Sequence, residues 1–245
     1  MRLRGFSERI ALKILVFNLL LGAFLVFRRV TRPPPTCALK FVGSAYGGWS
    51  YCENLIGPES VVYSFGLGED TSWDEEVLKT GASVFGYDPT PKSKDYVQKR
   101  VELKMQKGEF HYTEEGISTT VGYMKFTKPA NPSHVSMRAG VHEGLGETVV
   151  LQVRTLRNFM KQNNHKHLDI LKLDIEGSEY DVLTDLVMQN FLPFTQLLVE
   201  FHQRFEGVPI QKHRNTIASI LKCGFEVVEN KNEQEFSFLR RKQTC

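Results

Sequence analysis

The run Val61-Val62-Tyr63-Ser64-Phe65-Gly66-Leu67-Gly68-Glu69-Asp70-Thr71-Ser72-Trp73-Asp74 constrains the fold more than any other part of this chain. A β-type apolar segment ends in a turn with two glycines. Ser72, with Glu75 three residues later, has the form of a capping box opening a helix that Gly81 can close. The predicted order is strand, backbone cradle, helix. Glycines let a ligand approach the main chain closely, and the helix start offers unpaired N–H groups to an anion such as a carboxylate.

A second strand, Ala82-Ser83-Val84-Phe85-Gly86-Tyr87, is followed by Asp88. That places an acid about 20 residues past the glycines, where nucleotide-binding sheets hold ribose hydroxyls. Charge then discriminates between ligands. A dinucleotide brings a pyrophosphate, which wants a third glycine and no neighbouring acids, but here Thr71 stands at the third position and Glu69 and Asp70 follow the turn. Two carboxylates suit S-adenosylmethionine, which carries a sulfonium, an ammonium and a single carboxylate. The residues expected around this cofactor are Ser64, Gly66, Gly68, Glu69, Asp70, Asp88 and, from a later strand, Asp174. The plainer reading of Glu69 and Asp70 is that they complement the helix dipole.

The 245 residues, 24% charged and 41% hydrophobic, allow one full core and little else. The net charge of +3 is concentrated in basic residues near the start, so the remainder offers no field for nucleic acid. Ile10 to Phe27 is apolar apart from Lys13 and Asn18 and as a helix would reach roughly 27 Å, close to a bilayer core. No small-x-small cleavage site follows it, which favours an uncleaved signal-anchor over a signal peptide. Thr31 to Thr36 reads as a short stiff stalk with three prolines. The expected division is therefore 1–36 for a cytosolic tail, anchor and stalk, and 37–245 for the folded domain. Basic residues flank both ends of the span, so the positive-inside rule gives only a slight push to this orientation. Cys37 and Cys52 bracket the segment before the first strand and are either two unpaired thiols or, in an oxidising lumen, the endoplasmic reticulum or Golgi in this orientation, a bridge.

Further along, Tyr46-Gly47-Gly48-Trp49 reads as a packed turn, Lys92 to Lys107 as a crossover helix and Phe110-His111-Tyr112 as a third strand. Helical periodicity disappears from Gly116 to Val150, where extra strands are expected around a loop holding His134, Arg138 and His142. Asp169 to Asp174 is a mostly apolar strand, and Glu176-Gly177-Ser178 turns it into a helix capped by Ser178 and Asp181. Asp174 and Glu176 thus stand at a strand's carboxyl end, where open α/β sheets bind ligands, while Glu179 reads as serving the helix start. In the next strand, Gln196 to His202, alternation puts Glu200 and His202 on one side. Pro209 opens a helix ended by Gly224, and two strands around Asn230-Lys231-Asn232 close the chain as a hairpin.

The segments "VVYSFGLGEDTSWD" from Val61, "YDP" from Tyr87, "LDILKLDIEGSEYDVL" from Leu168 and "VEFH" from Val199 resemble the FkbM-like family of S-adenosylmethionine-dependent methyltransferases, in its membrane-anchored methyltransferase-like branch. The Lys-x-Asp-x-Glu-Gly-x-Glu run at Lys172 to Glu179 is the most specific part. The resemblance implies a Rossmann-like α/β fold: a seven-stranded class I methyltransferase sheet with helices on both faces and the last strand antiparallel, here behind an N-terminal transmembrane helix. It also implies O-methylation of a hydroxyl on a sugar or other small metabolite. The methyl donor would rest on Gly66, Gly68, Asp88 and the acids of the turn, with Asp174, Glu176 and His202 near the transferred methyl. Thr155-Leu156-Arg157 departs from the Thr-Leu-Asp common in relatives.

Methyl transfer needs aligned reactants and removal of the acceptor's proton, so the expected catalytic residues are His202 as base with Asp174 and Glu176. The same groups with Glu200 could hold a divalent ion, which is not favoured because nothing in the sequence shows them converging. Expected partners are a small-molecule or glycan acceptor and the membrane. The rival functions are a nucleoside-fold binding protein without turnover and a nicotinamide oxidoreductase, the latter disfavoured by the acidic turn.

Overall fold

The computed structural model describes residues 36–105, 110–131, 136–142, 146–205 and 208–241, all within one compact unit. The expected anchor at 10–27, most of the proline stalk and His134 lie outside the described residues. No described helix is long and apolar enough to cross a membrane.

The chain begins with β1 (Leu39–Val42) and β2 (Trp49–Cys52), an antiparallel pair. It continues through β3 (Val61–Phe65), α1 (Ser72–Leu78), β4 (Ser83–Tyr87), α2 (Pro91–Met105), β5 (Phe110–Thr113), β6 (Gly116–Ile117), β7 (Gly122–Thr127), β8 (Arg138–Ala139) and β9 (Thr148–Arg154). The last part is α3 (Leu156–Gln162), β10 (Leu168–Leu173), α4 (Glu179–Met188), β11 (Phe194–Glu200), α5 (Ile210–Lys222), β12 (Phe225–Lys231) and β13 (Glu235–Arg240).

Seven strands form one sheet in the order β12-β13-β11-β10-β3-β4-β5. β13 pairs antiparallel with β11 and β12, while β3, β4, β5, β10 and β11 pair in parallel, as expected of a closing hairpin on a parallel sheet. The central strands are buried on both faces, and alternation sorts their side chains into two cores. Tyr63, Phe65, Leu171, Leu173, Leu197 and Val199 face one core, shared with Phe159 of α3, Tyr180 and Leu183 of α4 and Ile220 of α5. Val62, Ile170 and Leu198 face the other, shared with Trp73 and Val77 of α1 and Val97 of α2.

That second core is completed by Trp49 and Tyr51 of β2. The hairpin is bonded to the sheet beneath it: Cys52 N donates to Gln196 Oε1 at 2.7 Å, and Ser237 Oγ donates to Ser50 O at 2.6 Å. The Cys37–Cys52 disulfide is formed across a sequence separation of 15, a loop whose closure contributes about 3 kcal/mol in the chain-entropy account. Cys223 is disulfide-bonded as well.

The extra strands expected between Gly116 and Val150 do not join the main sheet. They form a second sheet in the order β6-β9-β7-β8, in which β7 pairs antiparallel with β9 over Gly122↔Val153 to Thr127↔Thr148. Arg154 anchors it through a two-pronged pair with Glu115, Nε to Oε2 at 2.6 Å and Nη2 to Oε1 at 2.9 Å. Two caps also differ from expectation. Thr71, not Ser72, is the cap of α1, and Ser72 Oγ instead accepts from Ser44 N at 2.7 Å. At α4 Ser178 is the cap but makes no capping side-chain bond, and Asp181 pairs with Lys212 at 2.7 Å.

Candidate functional site

The glycine turn is shaped by contact with β10. Gly66 and Gly68 have φ of 79° and 55°, the left-handed region that favours glycine. A Cβ on Gly66 would stand 1.7 Å from Asp174 O, so only glycine lets the ends of β3 and β10 lie this close. Lys172, buried in β10, donates to Gly66 O at 3.1 Å and ties the same two strands together. The sequence motif contains this lysine, but its partner lies 106 residues away.

Asp88 stands where expected, and its carboxylate is bonded to the turn and to Thr90. Its Oδ2 accepts from Leu67 N and Gly68 N, both at 2.9 Å, and its Oδ1 accepts from Thr90 N at 2.8 Å and Thr90 Oγ1 at 2.6 Å. A carboxylate has about four acceptor positions. All are filled, so Asp88 braces the turn. Asp88→Ala is expected to leave these donors unpaired and to cost about 3 kcal/mol of stability, read by urea unfolding. Unchanged stability with donor binding lost would instead return Asp88 to the ribose.

Asp70 is likewise committed. Oδ1 accepts from Ser72 N at 2.8 Å, and Oδ2 accepts from Ser44 Oγ. Burial works against ionisation of this carboxyl, but the bonds from Ser44 and Ser72 prevail and lower its pKa. The first turn of α1 is thus capped from within and does not present Ser72 N–H to an anion. Ser64 also departs from expectation: it is wholly buried beneath the turn, on the face that carries Lys172. Nearby in α1 the buried Asp74 carboxyl is pushed up to about 6 by burial, against the pull of Lys172. Glu69 is exposed beside the glycines.

The residues expected near the chemistry do come together. β10 and β11 are parallel neighbours with Leu173 opposite Val199, which brings the segments that follow them to one edge. His202 Nε2 lies 3.3 Å from Glu176 Oε2, 3.7 Å from Glu200 Oε1 and 3.8 Å from Asp174 Oδ1. The ligand atoms of Asp174, Glu200 and His202 all fall within 4.8 Å of one another. Glu176 holds a left-handed backbone at φ 53°, unusual for a residue with a side chain and a mark of local strain at such sites.

Glu179, read from sequence as a helix-start residue, organises the cluster from behind. It is fully buried; its Oε1 accepts from His202 N at 2.8 Å and contacts His202 Nδ1 at 3.3 Å, and its Oε2 accepts from Gly177 N at 2.8 Å. These contacts enclose His202, the expected base, among carboxylates. The imidazole is 1% exposed and both ring nitrogens face carboxylates. Burial would lower its pKa, yet the hydrogen bond and charge of Glu179, then Glu176 and Asp174, lift it to about 9. The Asp174 carboxyl is pushed up to about 7, first by burial and then by Glu200 and Glu176, against Lys172 and His202.

Two sides of the opening were not assigned from sequence. Tyr46, 84% exposed, follows Ser44, whose hydroxyl bonds both Tyr46 N and Asp70, and its hydroxyl pKa is raised by partial burial and then by the charges of Asp174, Glu176, Glu200 and Asp70. On the other side the Phe205 ring lies 4.9 Å from the His202 ring and carries the Arg138 guanidinium at 4.2 Å. Among the described residues of the loop region, Arg138 reaches the site through Phe205. His142 Nε2 instead contacts Ala139 O at 2.8 Å, and Arg157 stacks on Phe191 at 3.8 Å.

The chain is 21% identical over 198 residues to probable methyltransferase-like protein 24 of Homo sapiens, covering 77% of this chain and 46% of that protein. It is 20% identical over 177 residues to the Rattus norvegicus protein of the same name, covering 71% and 41%. The chain therefore spans under half the length of these relatives. The crystal structure of methyltransferase FkbM from Methylobacillus flagellatus aligns with 10% identity and a TM-score of 0.47 over 75% of this chain and 44% of that one. The model of the methyltransferase FkbM domain matches residues 43–227, from the turn before β2 into β12, and the chain belongs to that family.

Proposed function

We propose that this chain is an S-adenosylmethionine-dependent methyltransferase whose acceptor is a hydroxyl of a small molecule or glycan. The observation that carries the reading is adjacency: the glycine turn and the acid–histidine cluster meet in backbone contact at Gly66 and Asp174. The turn fits a cationic donor better than a pyrophosphate, because Glu69, Asp70, Asp88 and Asp174 surround it and its nearest cation, Lys172, is spent on Gly66 O. Gly66, Gly68 and Glu69 would hold the donor, with Asp70 and Asp88 bracing the turn from behind. When bound, S-adenosylmethionine supplies a methyl group on a sulfonium.

The remaining work falls to the chain's own side chains. Tyr46 and Arg138 flank the opening and would position the acceptor, and Arg138 is suited to an acidic or hydroxyl-rich group. The acceptor's proton passes to Glu176, since both nitrogens of His202 face carboxylates and the Glu176 side chain keeps 20% exposure. The Cys37–Cys52 bridge supports work in an oxidising lumen of the endoplasmic reticulum or Golgi, with residues 10–27 as membrane anchor and 37–245 as the enzyme domain.

Calorimetry and a screen of glycan and metabolite pools with labelled donor test this reading. S-Adenosylmethionine should bind, and Glu176→Gln should retain donor binding while lowering turnover by about 10²–10⁴-fold. Binding of NAD with no binding of S-adenosylmethionine would overturn the assignment, and full turnover in Glu176→Gln would remove Glu176 from the proton's path.

A further inference from the structure

We propose that Asp174, Glu200 and His202 form a binding site for one divalent cation of the magnesium–manganese class, at the edge where β10 and β11 end. The convergence absent from the sequence is present in the fold, with the three ligand atoms within 4.8 Å of one another. Opposite ligands of an octahedral ion with bonds of about 2.1 Å stand about 4.2 Å apart and adjacent ones about 3.0 Å, so the set closes with side-chain movements of roughly 0.6 Å or more.

The histidine is an independent sign. Its Nδ1 is held by the fully buried carboxylate of Glu179, and its Nε2 points into the cluster, 3.3 Å from Glu176 Oε2. A carboxylate behind one imidazole nitrogen with the other directed at an ion is how metal-binding histidines are oriented. A proton on Nε2 can serve one carboxylate at a time, whereas three lie within 3.8 Å of it. A cation would meet Asp174 and Glu200 directly and offset the charge of Glu176 through space. Arg204 Nη1 shares Glu200 Oε1 at 3.1 Å and would compete with the ion or shift aside.

The donor set indicates the class of ion. Two carboxylates and one imidazole with no thiolate disfavour soft metals, and the single nitrogen favours manganese over calcium. Asp174 and Glu200 keep side-chain exposures of 31% and 22%, so further positions on the ion open towards solvent. If the methyl-transfer reading also holds, those positions would take acceptor oxygens and favour a vicinal diol or hydroxy acid, with Glu176 outside the ligand set.

The test is direct binding without donor or acceptor, so that its failure is separate from any failure of methyl transfer. The full chain, stripped with chelator, is titrated with Mn²⁺ while electron paramagnetic resonance reports the free ion and thermal melting reports stability. One Mn²⁺ per chain and a raised Tm are expected. Asp174→Asn and Glu200→Gln should each weaken binding at least about tenfold, and Glu76→Gln, in a distant surface pair with Lys79, should not. If Asp174→Asn fails to fold, Glu200→Gln at the rim still gives the answer. No Mn²⁺ binding by the wild-type chain, or equal binding by wild type and Glu200→Gln, overturns the proposal.

Discussion

Gly66→Ala is expected to destabilise the protein by about 4 kcal/mol or more, a large share of the stability of a domain this size, and to abolish donor binding with it. Two costs add. Alanine is disfavoured at φ 79°, and its Cβ would lie 1.7 Å from Asp174 O. The obstructing atom is main chain, so no rotamer change relieves the clash. The ends of β3 and β10 would have to part by more than an ångström, breaking the bond from Asp174 N to Phe65 O at 3.1 Å and displacing Lys172 from Gly66 O. Gly57 is the control, because nothing lies within 4 Å of a Cβ there, and Gly57→Ala should change stability by less than about 0.5 kcal/mol. Urea unfolding of the two variants measures the difference. A Gly66→Ala protein within 1 kcal/mol of wild type would show that the contact is not part of the folded molecule in solution.

Glu179→Ala is expected to cost about 3–5 kcal/mol, the penalty for removing one member of a buried charged set. The truncation leaves His202 N, His202 Nδ1 and Gly177 N facing an empty buried space. Glu179→Gln should fall between, at about 1–2 kcal/mol, since an amide oxygen can still accept from His202 while its NH₂ opposes Gly177 N–H. Asp181→Ala, two positions along the same helix, loses only an exposed pair with Lys212 and should cost under about 1 kcal/mol. Equilibrium unfolding gives the order Ala at 179, then Gln at 179, then Ala at 181. Equal effects at 179 and 181 would mean that Glu179 serves the helix start alone. Both variants at 179 should also lower turnover, because His202 and its neighbours lose the group that fixes them.

Much of the architecture was legible from residue order. The strands at Val61, Ser83, Phe110, Leu168 and Phe194, the helices α1, α2, α4 and α5 and the closing hairpin follow from β-type runs, helical periodicity and Gly or Pro punctuation, signals carried within about ten residues, whereas α3 was not read. The same local logic placed Asp174, Glu176, Glu200 and His202 at strand ends, and the parallel pairing of β10 with β11 then brought them together.

What each of those groups does was decided by contacts between distant segments. Asp88 sits at the anticipated spacing, yet its acceptor positions are filled by Leu67, Gly68 and Thr90. Asp70 is spent on Ser44 and Ser72, and the strands after Gly116 found one another instead of the main sheet. By itself the sequence determined the order of elements, the glycine turn and the supply of acids at one edge, because side-chain period and turn chemistry are local. Only the tertiary structure decided that Gly66 must touch Asp174, that a hairpin completes the second core and that Glu179 holds His202, because hydrogen-bond capacity and close packing are settled by whichever group arrives, and these partners lie far apart along the chain.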